Sequence, residues 1–110
     1  MSERDAEVLL EDIRQAMSKI ERYCSGMDRD SFLADDKTAD AVVRNIGIIG
    51  EAVKQLPANF KDRHPSVPWN QIAGLRNRIV HDYAGIDLEI IWEVVQGSLP
   101  KFREQIDSFK

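Results

Sequence analysis

The sequence predicts an all-α fold, an antiparallel bundle of four main helices with short extra helices. Apolar residues recur at three- and four-residue steps in four stretches of the 110-residue chain, which is the spacing of one helix face. No stretch shows the sustained alternation of apolar and polar residues that is typical of a half-buried strand. Proline and glycine separate the four stretches. We expect a single domain over residues 1–110.

The first two helices have the clearest boundaries. The amphipathic pattern of the first runs from Glu3 to Cys24, and Gly26 suits the left-handed position that follows a helix. The second runs from about Lys37 to Leu56 and ends at Pro57. Cys24 falls on the apolar side of the first helix, which predicts a small core residue rather than a nucleophile.

Two glycines lie inside the second helix. Gly47 and Gly50 each cost roughly 1 kcal/mol relative to alanine in a helix interior. Such residues indicate close approach by another element, which could be the third helix or a second subunit. Beside its core stripe this helix has a second face, which consists of Arg44, Ile48, Glu51 and Gln55.

The two remaining helices follow a proline-rich break. The third is predicted to open at Pro68 and to continue through Tyr83. The fourth is capped by Asp87 and extends to the C-terminus, with a kink or split expected at Gly97 and Pro100.

Charge is distributed unevenly along the chain. The formal net charge of −4 argues against bulk nucleic-acid binding. Residues 41–81 contain six Lys or Arg against two acidic residues, a balance of +4, so the two ends together carry −8. This asymmetry fits either ordinary solvated helix faces or a locally positive cleft that accepts phosphate.

Several classes of protein are disfavoured. No run of 18 apolar residues is present and the N-terminus is charged, so we expect a cytoplasmic protein without membrane contact. The sequence contains no Gly-rich phosphate loop and no metal-binding motif, so neither a cofactor nor a metal is expected.

The residues best suited to catalysis or ligand binding lie near the end of the third helix. On a helical wheel Arg76 falls within an apolar stripe, while Asn77 and His81 are i,i+4 neighbours on its flank. A guanidinium in such a stripe is either buried and paired with a carboxylate, for which Glu51 is a candidate, or faces a cleft or a partner. The stripe consists of Trp69, Ile72, Ile79, Val80 and Tyr83.

The pattern Arg76, Asn77, His81 and Tyr83 resembles the signature of the HEPN superfamily, and specifically that of the HepT-like toxins. Neighbouring residues strengthen the likeness, which covers nearly the whole chain: Pro68-Trp69, Gly74-Leu75, Val80-His81-Asp82 and Ile48-Ile49-Gly50-Glu51-Ala52. The resemblance implies a HEPN-like bundle that acts as a metal-independent RNA endonuclease, the toxin of a toxin–antitoxin pair. It also implies a homodimer with a composite active site at its interface.

The residue types fit that chemistry. His81 can transfer protons near neutral pH, and Arg76 can hold two phosphate oxygens. Asn77 can orient either the phosphate or the imidazole. In one continuous helix Arg76 and His81 would be about 7.5 Å apart along the axis and roughly 140° apart around it, on two sides of a cleft. Separate acid and base roles favour two histidines, which a two-fold dimer would supply.

Tyr83 has two interpretations. It could be an aromatic core anchor with a wet hydroxyl. The resemblance instead implies that a partner antitoxin, a minimal nucleotidyltransferase, adds AMP to Tyr83 and silences the toxin. The added phosphates would then lie beside Arg76 and Arg78 and occupy the charges that RNA needs.

Two other functions remain open at this point. The chain could be a non-catalytic HEPN module that binds a nucleotide or scaffolds a nucleotidyltransferase, which the negative net charge favours. It could also be a helical dimerisation domain without a site. The complete set of Arg76, Asn77, His81 and Tyr83 favours the ribonuclease.

Overall fold

The computed structural model of the chain describes residues 3–81 and 85–109. The all-α prediction is confirmed: helices make up nearly all of the regular structure, and one short pair of strands accompanies them. The elements in order are α1 Glu3–Cys24, α2 Arg29–Leu33, α3 Asp36–Gln55, α4 Ala58–Asp62, α5 Trp69–Ala73, α6 Leu75–Ile79, β1 Val80–His81, β2 Gly85–Ile86, α7 Leu88–Glu93, a π-helical turn Val94–Ser98, and α8 Leu99–Asp107.

The two longest helices, α1 and α3, form the framework of the bundle and share its most extensive contact. Ile13 and Ile20 of α1 and Val42 and Ile49 of α3 are almost completely buried in the common core. The first helix has the predicted boundaries, and Gly26 ends it with a positive φ of 77°.

Aspartate side chains cap three of the helices. Asp28 caps α2, Asp35 caps α3 and Asp87 caps α7, each accepting a hydrogen bond from a backbone N–H in the first turn of its helix. The bond from the backbone N–H of Thr38, aided by the Thr38 hydroxyl, holds the pKa of Asp35 below its usual value.

The C-terminal segment is helical from Leu88 to Asp107, with the π-helical turn in its middle. Pro100 has no N–H to donate to the carbonyl group four residues earlier, so the regular α-helical ladder is interrupted there. The kink or split expected at Gly97 and Pro100 is thus replaced by a π-helical turn through which the helix continues.

The prediction of one continuous third helix is wrong. The motif segment, defined here as residues 69–81, consists of α5, α6 and β1. Gly74 leaves the helical conformation with φ −95° and ψ 3° and so separates α5 from α6. At Val80 the chain becomes extended (φ −95°, ψ 122°), and β1 pairs with β2 in an antiparallel register of Val80 with Ile86. The β-branched side chain of Val80 favours this extended backbone.

An aromatic cluster supports the start of the motif segment. Trp69 is buried, and its ring packs edge-on against Phe60 and Phe102. Its indole N–H donates to the carbonyl of His64 at 3.1 Å. The His64 ring, half-buried, stacks on Phe109 with the ring centroids 3.9 Å apart. The first residue of α5 is therefore fixed both by burial and by a hydrogen bond.

Candidate active site

Arg76 lies across the bare backbone of α3 at Gly47. A Cβ atom added at Gly47 would be 3.5 Å from Cδ and 3.9 Å from Nε of Arg76. The absence of a side chain at Gly47 thus leaves room for the side chain of Arg76, which rests on the helix surface. This contact gives a long, flexible cation a defined seat.

Gly50 allows a still closer contact one turn further along α3. A Cβ atom added there would lie 3.0 Å from the carbonyl oxygen of Ala73, at the end of α5. Both glycines therefore accommodate the motif segment of the same chain: Gly50 accepts its backbone and Gly47 accepts its arginine. From the sequence, the element that approaches Gly47 and Gly50 could have been the third helix or a second subunit. The structure shows that the motif segment makes both contacts.

Arg76 opens onto a groove of about 520 Å³ between α1, α3 and α6. A volume of this size lies within the range of small-molecule binding sites. We call it the Arg76 groove, and its lining comprises Leu9, Asp12, Arg44, Gly47, Ile48, Glu51, Ala52, Gln55 and Arg76. Four of these residues form the second face of α3 that is visible in the sequence.

The interpretation of Arg76 as a buried, paired arginine is wrong. Arg76 is exposed, whereas its neighbour Leu75 is buried at 2% exposure. The break at Gly74 changes the direction of the helix, so the wheel drawn for a continuous helix assigns the wrong residue to the core. Glu51, proposed as the partner, lines the same groove but pairs with Lys54 at 3.3 Å. Within residues 3–81 and 85–109 no carboxylate forms an ion pair with Arg76.

The expected helical relationship between the motif residues also changes. Because α6 ends at Ile79, Asn77 and His81 are not an i,i+4 pair on one helix, and the helical separation of Arg76 and His81 does not apply. Asn77 is exposed on α6, and the backbone of His81 lies in β1. Tyr83 and the side chain of His81 lie outside the described residues.

Arg78 occupies a different place from Arg76. It is also exposed, but it lines a second groove, between α5, α6 and the C-terminal helices. Two residues along an α-helix correspond to a rotation of about 200°, so the two arginines emerge on opposite sides of α6. The structure therefore brings Arg76 and Glu51 into one groove and separates Arg78 from them.

Sequence reasoning missed Arg44 as a site residue. It lines the Arg76 groove and adds a second guanidinium to it. Arg44 shares one helix face with Glu51, and this position could have identified it as a site residue from the sequence. Asp12 and Leu9 had no such signal, because their position in the groove depends on the packing of α1 against α3.

Other reactive groups are placed elsewhere. Cys24 is buried, and burial raises the pKa of its thiol, which fits the predicted core role. Among the residues that the structure describes, His, Cys, Asp and Glu side chains nowhere gather in the threes that a metal site requires. No described helix is both long enough and apolar enough to cross a membrane.

Fold and groove together define a class of protein. It is a small helical domain that presents two exposed arginines in a groove, beside a strand that carries the motif histidine. Exposed guanidinium groups of this kind are suited to phosphate oxygens.

Comparison with known proteins identifies the family within this class. The family model described as "Ribonuclease HepT-like" matches residues 13–109. The chain therefore belongs to the HepT-like ribonuclease family, and the predicted enzyme class, a ribonuclease, is confirmed at that level.

Full-length relatives agree with this assignment. A protein of Methanocaldococcus jannaschii named "Putative RNase MJ0127" is 41% identical over 107 residues, which cover 97% of this chain and 88% of that protein. A protein of Thermococcus cleftensis named "Probable ribonuclease HepT" is 37% identical over 101 residues, which cover 92% of each chain. No solved structure matches the chain.

Proposed function

We propose that this protein is a metal-independent RNA endonuclease and the toxin of a toxin–antitoxin pair. The observation that carries the proposal is the exposed Arg76, seated on Gly47 at the edge of the Arg76 groove and without an ion pair to any carboxylate that the structure describes. Membership of the HepT-like family supports RNA as the substrate.

Arg76 would bind the phosphate and His81 would move the protons. In the first step the 2′-hydroxyl gives its proton to a base, and its oxygen forms a bond to the adjacent phosphorus. The bond from phosphorus to the 5′-oxygen breaks, and that oxygen takes a proton from an acid. The products are a 2′,3′-cyclic phosphate and a 5′-hydroxyl. Arg76 would neutralise the crowded phosphate through a bidentate contact.

Three further residues would support this reaction. Arg44, which lines the same groove, adds positive charge. Asn77, exposed beside Arg76, would orient the phosphate or the imidazole. Glu51 lines the groove and would bring the charge of Lys54 close to it through their ion pair.

Cleavage of RNA by variants tests the reaction. We expect Arg76→Ala and His81→Ala each to lose about 10²–10⁴-fold in cleavage rate, as removal of an acid–base or phosphate-holding group does. Arg22→Ala is the matched control, because Arg22 is exposed at the end of α1 and lines neither arginine groove. EDTA should have no effect. Activity that EDTA abolishes and magnesium restores would contradict the metal-free mechanism.

A homodimer with a composite site follows from the need for both an acid and a base. One motif contains one histidine, and a two-fold axis would bring a second copy beside it. The described surface exposes only two large apolar side chains, Val8 and Tyr23, so the proposal rests on this chemistry rather than on an apolar patch. Sedimentation equilibrium at micromolar concentration should give twice the chain mass of 12.6 kDa. A monomer at this concentration would contradict the proposal of a composite site.

We also propose that a minimal nucleotidyltransferase antitoxin silences the enzyme by adding AMP to Tyr83. This residue belongs to the connection between β1 and β2, whose pairing begins at His81 and Gly85. Helix α6 ends at Ile79, before both His81 and Tyr83 in the sequence. Intact mass after co-expression should show added AMP on the wild type and none on Tyr83→Phe. Equal modification of both would exclude Tyr83 as the target.

A further inference from the structure

A second groove lies on the other side of α6 from the Arg76 groove. It has a volume of about 320 Å³ and runs between the motif segment and the C-terminal helices. We call it the Arg78 groove, and its lining comprises Pro68, Gln71, Ile72, Leu75, Arg78, Gly97, Ser98, Lys101 and Gln105. It contains the π-helical turn, a feature found frequently at functional sites.

The charge of the Arg78 groove sets it apart from the rest of the surface. Arg78 and Lys101 are exposed cations in its lining, and neither forms an ion pair with a carboxylate of residues 3–81 or 85–109. Of five grooves on the described surface, this one alone is lined by no Asp or Glu. The chain as a whole has 19 acidic against 15 basic residues, so a groove with two cations and no acid is a local reversal of charge.

The two grooves are joined by the exposed surface of α6. Arg76 faces the first groove and Arg78 the second, and exposed Asn77 lies between them. The width of a helix is about 10 Å, which about three stacked nucleotides span at a rise of roughly 3.4 Å each. A strand that crosses α6 would therefore meet cations on both sides.

We infer that the Arg78 groove binds the backbone of the RNA strand a few nucleotides from the cleaved bond. This inference rests on the proposed function for its substrate and extends the path of that substrate beyond the Arg76 groove. Arg78 and Lys101 would each bind a phosphate oxygen, which positions the strand without reading its sequence. The polar side chains of Ser98 and Gln71 would supply further hydrogen bonds to the sugar–phosphate backbone.

Gly97 offers a direct test, because it opens into the Arg78 groove. A Cβ atom added at Gly97 would have no atom from outside its own stretch of helix within 4 Å, and its φ is not positive, so a side chain fits there without strain. Gly97→Asp and Gly97→Asn have nearly the same shape and differ by one negative charge. Any difference between them in RNA binding therefore measures the electrostatics of this groove.

The probe is a fluorescein-labelled 2′-O-methyl oligouridylate of 12 nucleotides, which lacks the attacking hydroxyl and stays intact. Fluorescence anisotropy at low salt should show binding to Gly97→Asp about fivefold weaker than to Gly97→Asn, the size expected for one charge at contact distance in water. The difference should shrink at high salt. Equal affinity of the two variants at low salt would overturn the inference.

Charge-removing substitutions give a second measurement. Arg78→Gln and Lys101→Gln should each reduce the slope of log Kd against log salt by about 1, as the loss of one phosphate contact does. Lys37→Gln is the matched control, because Lys37 is exposed in the first turn of α3 and lines neither groove. Unchanged slopes for Arg78→Gln and Lys101→Gln would contradict the inference.

The two proposals can fail separately. If the wild type cleaves RNA and the Gly97 pair binds the probe equally, catalysis stands and the Arg78 groove is not part of the RNA path. If the wild type cleaves no RNA but the pair differs in probe binding, the groove still binds RNA and the catalytic proposal fails.

Discussion

The α1–α3 pair and the motif segment are stabilised in different ways. The helices α1 and α3 extend over 22 and 20 residues without interruption, whereas the motif segment divides into two five-residue helices and a two-residue strand. Helices of five residues are far too short to be stable through their own hydrogen bonds. The motif segment must therefore be held by contacts with the rest of the protein.

Those contacts are of two kinds. Buried side chains such as Leu75 and Ile79 anchor α6 in the core. Backbone contact at Gly50 brings the end of α5 against α3. The polar side chains that carry the proposed chemistry contribute to neither. The motif segment is therefore positioned by its buried residues and its backbone, whereas its exposed polar residues carry the proposed chemistry.

The largest expected effect is a difference in stability between substitutions at two adjacent positions, one buried and one exposed. Leu75→Ala should lower the free energy of unfolding by about 2–5 kcal/mol, because it leaves a cavity beneath α6. Arg76→Ala should change it by less than about 0.5 kcal/mol, since the side chain is exposed and forms no ion pair with the described residues. Urea unfolding of both variants measures the difference. A loss of several kcal/mol in Arg76→Ala would show that this arginine is structural.

A smaller effect should distinguish two glycines. Gly50→Val should lower the free energy of unfolding by about 1–3 kcal/mol, because its side chain would press on the carbonyl of Ala73. RNA cleavage should fall too, since displacement of α5 also moves Arg76. Gly97→Val is the matched control for stability alone, because a side chain there meets open space. If thermal unfolding shows both variants equally stable, the contact between α3 and α5 is not a tight one.

The smallest effect concerns Asp35, the cap of α3. Backbone and hydroxyl hydrogen bonds from Thr38 lower the pKa of Asp35 in the folded state, so this group stabilises the fold above the usual carboxyl pKa. That contribution should disappear as the pH falls through the lowered pKa. Asp35→Asn should therefore show a weaker loss of stability under acid than the wild type. Parallel acid dependence of the two proteins would contradict this role.

The helices of the motif segment have no aspartate cap of this kind. Its short helices begin after Pro68 and Gly74, and neither residue provides a side-chain cap. The effect of Asp35 should therefore be confined to α3, and cleavage by Asp35→Asn should match the wild type at neutral pH.

Local signals explain why the long helices could be predicted. The apolar spacing of α1 and the stop at Gly26 depend on neighbouring residues alone, and the boundaries Glu3 and Cys24 are correct. Asp87 was likewise recognisable as a cap from its position before an apolar run. For these elements the residues that determine the structure are close together in the sequence.

The motif segment could be predicted only in part, because its geometry depends on distant residues. A helical wheel treats residues 69–83 as one rod, so it cannot show that Gly74 divides the rod or that Val80 leaves it to pair with Ile86. For this reason the helical wheel assigned Arg76 to the core, whereas Leu75 is the residue that is buried there. The chemical identity of Arg76 and His81 was nevertheless visible, since it depends on residue type and on the resemblance to the HEPN superfamily.

The seat of Arg76 on Gly47 has a consequence for how the binding of RNA by this enzyme could change. The arginine rests on the bare backbone of α3 and forms no ion pair with a described side chain, so its position does not depend on the identity of its exposed neighbours. Asn77 and Arg78 can therefore be exchanged without disturbing it. The same scaffold therefore allows the strength with which it holds an RNA backbone to change at Arg78, while the seat of Arg76 on Gly47 is inherited intact.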